Sequence, residues 1–343
     1  MKRAALVFLF LSLLFVSLGF AATTIKEKQV IRVGYFPNIT HSQAIIGLAN
    51  GAFQKELGDE VKIETMMFNA GPSVIEAMFA GEIDLAYIGP SPAINGYVKS
   101  KGEALRIVAG ATSGGAALVV RQDSGIEKKE DFHRKRIASP QLGNTQDVAL
   151  RGWLKDNGLV LKEKGGDVEV LPIANPDQLM LFQKKEIDGA WAPEPWVGRL
   201  IIEGDGKVFL DERTIWPNGE FVTAHIIVSK KFLDNHRDLV KKWISAHVDL
   251  TEWINKNIPE AKKILNNELK RLTGKSLPEV VIDGAFERLK VTYDPIKSSL
   301  FTSARWAFEQ GFLGKDFPDL SGIYELSILK EVLNEKALVP IRE

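Results

Sequence analysis

Four stretches of this sequence place small polar residues and prolines where helices begin. They are Asn38-Ile39-Thr40-His41-Ser42, Asn69-Ala70-Gly71-Pro72-Ser73, Gly89-Pro90-Ser91-Pro92 and Asn144-Thr145-Gln146-Asp147. The first turn of a helix leaves backbone N–H groups without intrahelical partners, and the helix dipole favours negative charge beside them. Such positions hold an anion without any basic side chain. The N–H groups within residues 40–43, 72–74, 91–93 and 144–147, leaving out the prolines Pro72 and Pro92, are the candidates here. Ser73, Ser91, Asn144, Thr145 and Gln146 add neutral donors. The same residue types are favoured helix caps, so capping and anion binding stand as alternative readings. Gly114-Gly115 permits close approach of backbone to a ligand, or is a simple turn.

One further stretch carries charge and rings together: Trp191-Ala192-Pro193-Glu194-Pro195-Trp196. Each proline fixes its own φ and biases the residue before it to extended backbone, which predicts a stiff loop leaving a buried strand. Glu194 repels a bare anion and suits the cationic, hydroxyl or amide end of a ligand. Alternatively it pairs with Arg199 or another basic group and is structural. Trp191 reads as core; Trp196 fits core or ligand contact. Of the five histidines, His41 lies in a helix-start loop and His225 on a strand, each readable as ligand contact or as a hydrogen-bonded structural residue. None is spaced with another as a metal pair, and no hydrolase, P-loop or redox motif is present.

The elements that would position these groups alternate strand and helix, as in mostly parallel α/β sheets whose ligands bind beyond the carboxyl ends of the strands. Val30–Tyr35, Val61–Phe68 and Leu85–Ile88 read as strands of a first unit. Arg136–Ser139, Val168–Ile173 and the segment entering Trp191 read as strands of a second. The two units are a repeat. Adding 104 carries Ala70 and Pro72 onto Ala174 and Pro176, and Glu82-Ile83-Asp84 onto Glu186-Ile187-Asp188, without a gap. Val222–Val228 is strongly β-like and is expected to cross back between the units, pairing with Ala116–Arg121. The helical remainder, from Asp238 onward, is expected to pack on the first unit.

Composition sets the compartment. The 343 residues hold 44 basic and 44 acidic side chains and no cysteine. Zero net charge gives no electrostatic case for nucleic acid or an anionic membrane. The missing cysteine excludes disulfides, thiolate metal sites and lipidation at an N-terminal cysteine. Met1-Lys2-Arg3, the apolar run Ala4–Leu18 and Gly19-Phe20-Ala21 have the layout of a cleaved secretory signal peptide. Its removal leaves 42 basic against 44 acidic residues, a net charge near −2.

The order G-Y-F-P-N, then E-I-D-L-A-Y-I-G-P-S-P-A, then E-I-D-G-A-W-A-P-E-P-W resembles the periplasmic substrate-binding proteins of ABC importers, in the nitrate/sulfonate/taurine/bicarbonate group. The resemblance covers nearly the whole mature chain. It implies a type II fold: two Rossmann-like α/β lobes joined by two crossing strands, with a cleft between them. On this reading residues 1–21 are the signal peptide, 22–118 and 224–343 the first lobe, and 119–223 the second. It implies a monomer in the periplasm that binds one small anionic or zwitterionic solute and delivers it to a membrane permease with a cytoplasmic ATPase, with no cofactor and no metal. In aliphatic-sulfonate and taurine binders the ligand sits at loops corresponding to Asn38–His41, Gly89–Ser91, Gly114–Gly115, Gln141–Thr145 and Glu194. With Ser73, Trp196 and His225 these are the candidate ligand residues, and Glu194 is the one expected to distinguish ligands. An aliphatic sulfonate is the leading ligand. Nitrate, bicarbonate, an aromatic carboxylate or a pyrimidine-type precursor are the rivals, the last two stacking on Tyr35, Phe36 or Trp196. Enzymes resembling this group, thiamine-pyrimidine synthases and a desulfinase, depend on cysteine-containing sites that this chain lacks.

Overall fold

A computed structural model describes residues 28–342; the signal segment 1–21 lies outside them. Eleven strands are named in chain order: β1 Gln29–Tyr35, β2 Val61–Met67, β3 Leu85–Ile88, β4 Leu105–Gly114, β5 Ala116–Arg121, β6 Arg136–Ser139, β7 Glu169–Pro172, β8 Gly189–Pro193, β9 Gly206–Asp211, β10 Val222–Ser229 and β11 Leu289–Val291. They form two sheets, ordered β11-β4-β10-β3-β1-β2 and β7-β6-β8-β5-β9. Within each, three strands run parallel: β1 with β2 and β3, and β6 with β7 and β8.

The 104-residue repeat is a repeat of structure. Helix Gly71–Phe79 recurs as Asn175–Gln183. The pairs Val33↔Leu85 and Gly34↔Ala86 recur as Ile137↔Gly189 and Ala138↔Ala190. The E-I-D turn has a local cause. Asp84 accepts the backbone N–H of Arg32 at 2.9 Å, and Asp188 that of Arg136 at 2.9 Å, so each aspartate ties the start of its strand to the first strand of its unit. The isoleucine between is buried and the glutamate exposed. One register departs: Val33 pairs with Thr65, but Ile137 with Val170, an offset of 105.

The chain changes sheet between β4 and β5, at Gly115, and again between Asp211 and Val222. Each arriving strand wedges antiparallel into the sheet it enters: β5 between β8 and β9, β10 between β3 and β4. This corrects the expected pairing of Val222–Val228 with Ala116–Arg121, because those two strands lie in different sheets. β5 lies wholly in the second sheet.

Helices Ser42–Ala49, Ala52–Leu57, Arg237–Lys256, Ile258–Thr273 and Ser327–Glu335 supply the core against one face of the first sheet, where Phe53 stacks on Trp243 at 3.8 Å. The C-terminal helices do not all stay there. Glu279–Arg288 packs on Trp196–Ile202 of the second lobe. Lys297–Glu309 packs on Thr145–Asp156, and its Trp306 donates an indole N–H to Asp156 at 3.0 Å.

The second crossing carries a buried acid. Glu212 accepts the indole N–H of Trp191 at 2.7 Å and of Trp216 at 3.3 Å. Trp216 in turn stacks on Phe221 and meets Trp306 edge-on. Burial pushes the Glu212 carboxyl up to about 7, against the two indole donors. The folded protein therefore holds this proton more tightly than the unfolded chain. The contribution is complete below the ordinary glutamate value of 4.5 and is lost as pH rises through about 7. Glu212→Gln, which keeps an acceptor oxygen, should remove up to about 3 kcal/mol of that loss. Denaturant unfolding of parent and variant at about pH 5 and about pH 8 checks it; equal slopes with pH would contradict it.

Candidate functional site

The ligand-end loops of both lobes meet around one small polar cavity. From the first lobe come Phe36, Asn38, Thr40 and His41 after β1, Asn69 after β2, and Gly89 after β3. From the second come Asn144, Thr145 and Gln146 after β6, Asn175 after β7, and Pro193 at the end of β8. Thr223, on the returning strand β10, completes it and donates its hydroxyl to the Gly114 carbonyl.

Five helical starts converge there, and none is capped by its own side chain. The N-cap positions are Asn38, Ala70, Gly89, Asn144 and Ala174. Most other helix starts among the described residues also lack a side-chain cap; Ser229, which accepts the N–H of Phe232, and Asp211, which accepts that of Arg213, are exceptions. Of the donor residues singled out in the sequence, only Asn144 stands at an N-cap, and it makes no capping bond. Asn144 instead spends its side chain on Gln146, donating to Oε1 at 3.0 Å, and on the opposite lobe, accepting the Gly71 N–H at 3.4 Å. The Thr145 hydroxyl and the Asn175 amide oxygen are buried without partners, as is the Ser91 hydroxyl at the adjoining helix start. Buried polar atoms of this kind mark where a ligand group bonds.

The electrostatics come from backbone. No Lys, Arg, Asp or Glu lines the cavity among the described residues. His41 is neutral: burial pushes its pKa down to about 3. Its Nδ1 accepts the Phe36 N–H at 3.2 Å, which leaves the proton on Nε2 as a neutral donor, and its ring stacks on Phe36 at 4.4 Å. Two acids stand in converging first turns: Asp177, which is exposed, and Asp147, which is charge-paired. It pairs with Arg151 Nε at 3.0 Å and accepts Ser139 Oγ at 2.6 Å and Gly143 N–H at 2.8 Å. Asp147 thereby pins the turn that presents Asn144 and Thr145. Five oriented N-termini and neutral donors make a site for an oxyanion.

The lobes are closed on each other. Ile39 donates its N–H to the Glu194 carbonyl at 3.2 Å, and Trp196 its indole N–H to Asn38 at 3.1 Å. Closure depends on Gly89. A Cβ there would sit 2.1 Å from the Thr145 hydroxyl of the other lobe, although its backbone, at φ −74°, accepts any residue.

Among the sequence candidates, Asn38, His41, Gly89, Asn144 and Thr145 line the cavity. Gln141 does not, but its carbonyl accepts the Asn144 N–H at 3.0 Å. Ser73 stands half-buried a turn away, outside the lining. Gly114 and Gly115 form the first crossing, with φ of 72° and 77°, and Gly115 accepts the Glu194 N–H. His225 belongs elsewhere: its Nε2 meets the Pro295 carbonyl at 3.1 Å, and it lies edge-on to Tyr324. Trp196 bridges the lobes without lining the cavity, with the Arg199 guanidinium over its ring.

Glu194 takes the structural alternative, with a basic partner other than Arg199. Its carboxylate is fully buried against Arg288 Nε at 2.5 Å and accepts the Gly198 N–H at 3.2 Å. Burial raises its pKa, and Arg288 and Gly198 oppose that rise. Arg199, the partner first considered, binds Glu203 instead. The carboxylate does not face a ligand; what Glu194 offers the cleft is its backbone. Gln146, expected as a neutral donor, Phe36, expected as a stacking ring, and Thr40 of the Asn38–His41 loop also line the cavity, whereas Asn69, Asn175, Pro193 and Thr223 were not singled out as ligand residues. Asn175 was within reach, since the 104-residue offset carries Gly71 onto it.

With the geometry in place, comparison with known proteins is informative. A sequence profile of the NMT1-like family matches residues 25–266. The chain belongs to the NMT1-like family. A relative, the taurine-binding periplasmic protein of Escherichia coli (strain K12), is 26% identical over 296 residues, 83% of this chain and 88% of that one. Two solved structures share the two-lobed periplasmic binding protein fold. The alkanesulfonate-binding protein of Xanthomonas axonopodis pv. citri bound to MOPS has a TM-score of 0.70 at 19% identity, covering 84% of this chain and 96% of that one. The periplasmic nitrate-binding protein of Synechocystis PCC 6803 has a TM-score of 0.71 at 15% identity, covering 90% and 89%.

Two substitutions separate closure from stability in this NMT1-like protein. Gly89→Ala should weaken ligand binding about tenfold or more, with the midpoint of thermal unfolding nearly unchanged, because the clash arises only between closed lobes. Glu194→Ala should cost on the order of 3 kcal/mol of stability by stranding Arg288. Titration calorimetry and thermal melts on the same samples check both. Normal affinity in Gly89→Ala, or an unshifted melt in Glu194→Ala, would contradict the assignments.

Proposed function

We propose that this protein is the periplasmic solute-binding component of an ABC importer. It captures a small organic anion, an aliphatic sulfonate before other classes, and delivers it to a membrane permease with a cytoplasmic ATPase. Residues 1–21 are the export signal. The mature chain works as a monomer, with residues 116–211 as the core of the second lobe and the sheet of β1 to β4, β10 and β11 as the core of the first. It binds without turning its ligand over.

The observation that carries this reading is the convergence of five uncapped helix starts on a cavity without charged side chains. A sulfonate carries three oxygens over a tetrahedral head, full charge across the physiological range and no proton to donate. Backbone N–H groups, the Thr145 hydroxyl and neutral His41 answer it with donors alone. The names of the taurine-binding and alkanesulfonate-binding relatives support the class. The likeness to a nitrate-binding protein keeps inorganic anions in the test.

Calorimetric titration of the refolded protein with sulfonates, carboxylates, nitrate and bicarbonate tests the assignment. A sulfonate should bind one-to-one; binding of another class with no sulfonate response would remove it. The pH profile is a second check. With His41 already neutral above about 3, sulfonate affinity should stay level between about pH 5 and pH 8. An affinity that falls as pH rises through about 6.5 would mean that a histidinium holds the anion.

A further inference from the structure

A second space, of about 590 Å³, lies at the joints between the lobes and shares no lining residue with the cleft cavity. Its size is ordinary for a small-molecule site. The walls come from the places where the chain passes between the lobes. Ser113 precedes the first crossing, and residues between Asp211 and Glu220 form the second. Leu289, Lys290 and Thr292 return the chain from helix Glu279–Arg288, packed on the second lobe, to the first sheet. Ile296, just before helix Lys297–Glu309, stands in the left-handed region at φ 45°. A β-branched residue is strained there, and strain of this kind clusters at sites that bind or move.

Four cations line the space, Arg213, Arg288, Lys290 and Arg342, against three acids, Asp211, Glu220 and Glu287. Two of the acids are engaged: Asp211 by Arg213 at 2.6 Å and Glu220 by Arg342 at 2.6 Å. Lys290 is exposed and makes no hydrogen bond or ion pair among the described residues. Arg288 commits only its Nε, to Glu194, and its Nη1 and Nη2 make no hydrogen bond among the described residues. A guanidinium fork and an ammonium are thus left over, opposed by Glu287 alone. An oxyanion with two or more charges answers both.

Arg288 also ties this space to the cleft. Its carbonyl accepts the Gly115 N–H at 2.8 Å, and the Gly115 carbonyl accepts the Glu194 N–H at 2.8 Å. Its side chain holds the Glu194 carboxylate at 2.5 Å. The Glu194 carbonyl accepts the Ile39 N–H of the opposite lobe, a bond made when the lobes are together. Whatever steadies Arg288 therefore steadies the loop that closes on Ile39. We infer that this space is a second binding site, for a multivalent oxyanion of the polycarboxylate or phosphate class, whose occupancy favours the closed state and tightens binding in the cleft. By linkage the cleft ligand tightens the oxyanion by the same factor. The site itself does not depend on which solute the cleft takes.

Calorimetric titration with citrate, without any cleft ligand, tests the site. Citrate should bind one-to-one, and inorganic phosphate more weakly because it carries fewer charges. Lys290→Ala should weaken citrate about tenfold, and Glu287→Gln should tighten it about threefold. Butanesulfonate, titrated with and without saturating citrate at ionic strength matched by sodium chloride, tests the coupling. It should bind about fivefold or more tighter with citrate. Lys290→Ala should lose that gain and keep the parent's affinity in the absence of citrate. No binding of citrate or phosphate, or citrate binding unchanged in Lys290→Ala, would overturn the site. Butanesulfonate affinity unchanged by citrate would overturn the coupling, and citrate competing with butanesulfonate would place it in the cleft and overturn both. If no sulfonate binds, the sulfonate assignment falls, and the citrate titrations of parent and variants still decide this site.

Discussion

The molecule is organised around helix starts from both lobes that meet at one cavity lined by no charged side chain among the described residues. A buried donor left without an acceptor costs about 1–3 kcal/mol. This cavity gathers backbone donors from five helical starts, with the hydroxyl of Thr145 beside them. With the lobes apart, water satisfies such groups. With the lobes together, a bound acceptor must. That makes closure and ligand binding one event, in which the ligand stabilises the state in which both sets of donors face it. A cationic side chain would have provided affinity with less geometry. Oriented dipoles provide it only where each helix start is placed correctly, and the rest of the fold supplies that placement.

The scaffold does so by sharing strands. Because β5 and β10 are each inserted into the sheet they enter, the two crossings are anchored inside both lobes. The charged and aromatic groups of the Trp191–Trp196 stretch serve this anchoring. Glu194 binds Arg288, Trp191 donates to Glu212, and Trp196 reaches Asn38. The buried Asp147–Arg151 pair does the equivalent work beneath the Asn144 turn. Charge in this protein holds the frame, and the ligand meets neutral donors.

How much of this the sequence disclosed follows the range of each interaction. The two-lobed fold and the 104-residue repeat were legible, because the E-I-D turns are local: each aspartate binds the N–H of its own unit's first strand. Asn38, His41, Gly89, Asn144 and Thr145 were legible as helix starts. The partner of β10 was not, since β-propensity says nothing about which strand lies alongside. Glu194 misled because its partner stands 94 residues later on a helix with no visible tie to the loop. Thr223 and His225 would share one face of a regular strand, and the irregular register of β10 against β4 between them is not visible in the sequence.

The most direct test of the central claim is to watch the N–H groups themselves. In ¹H–¹⁵N spectra of the labelled protein titrated with butanesulfonate, the backbone amides of Thr145, Gln146 and Asn175 should show the largest downfield proton shifts. Arginine and lysine side-chain signals should stay in place. Amides unmoved at those three residues, with the shifts concentrated on guanidinium or ammonium groups, would show that a cation holds the ligand and would contradict the account.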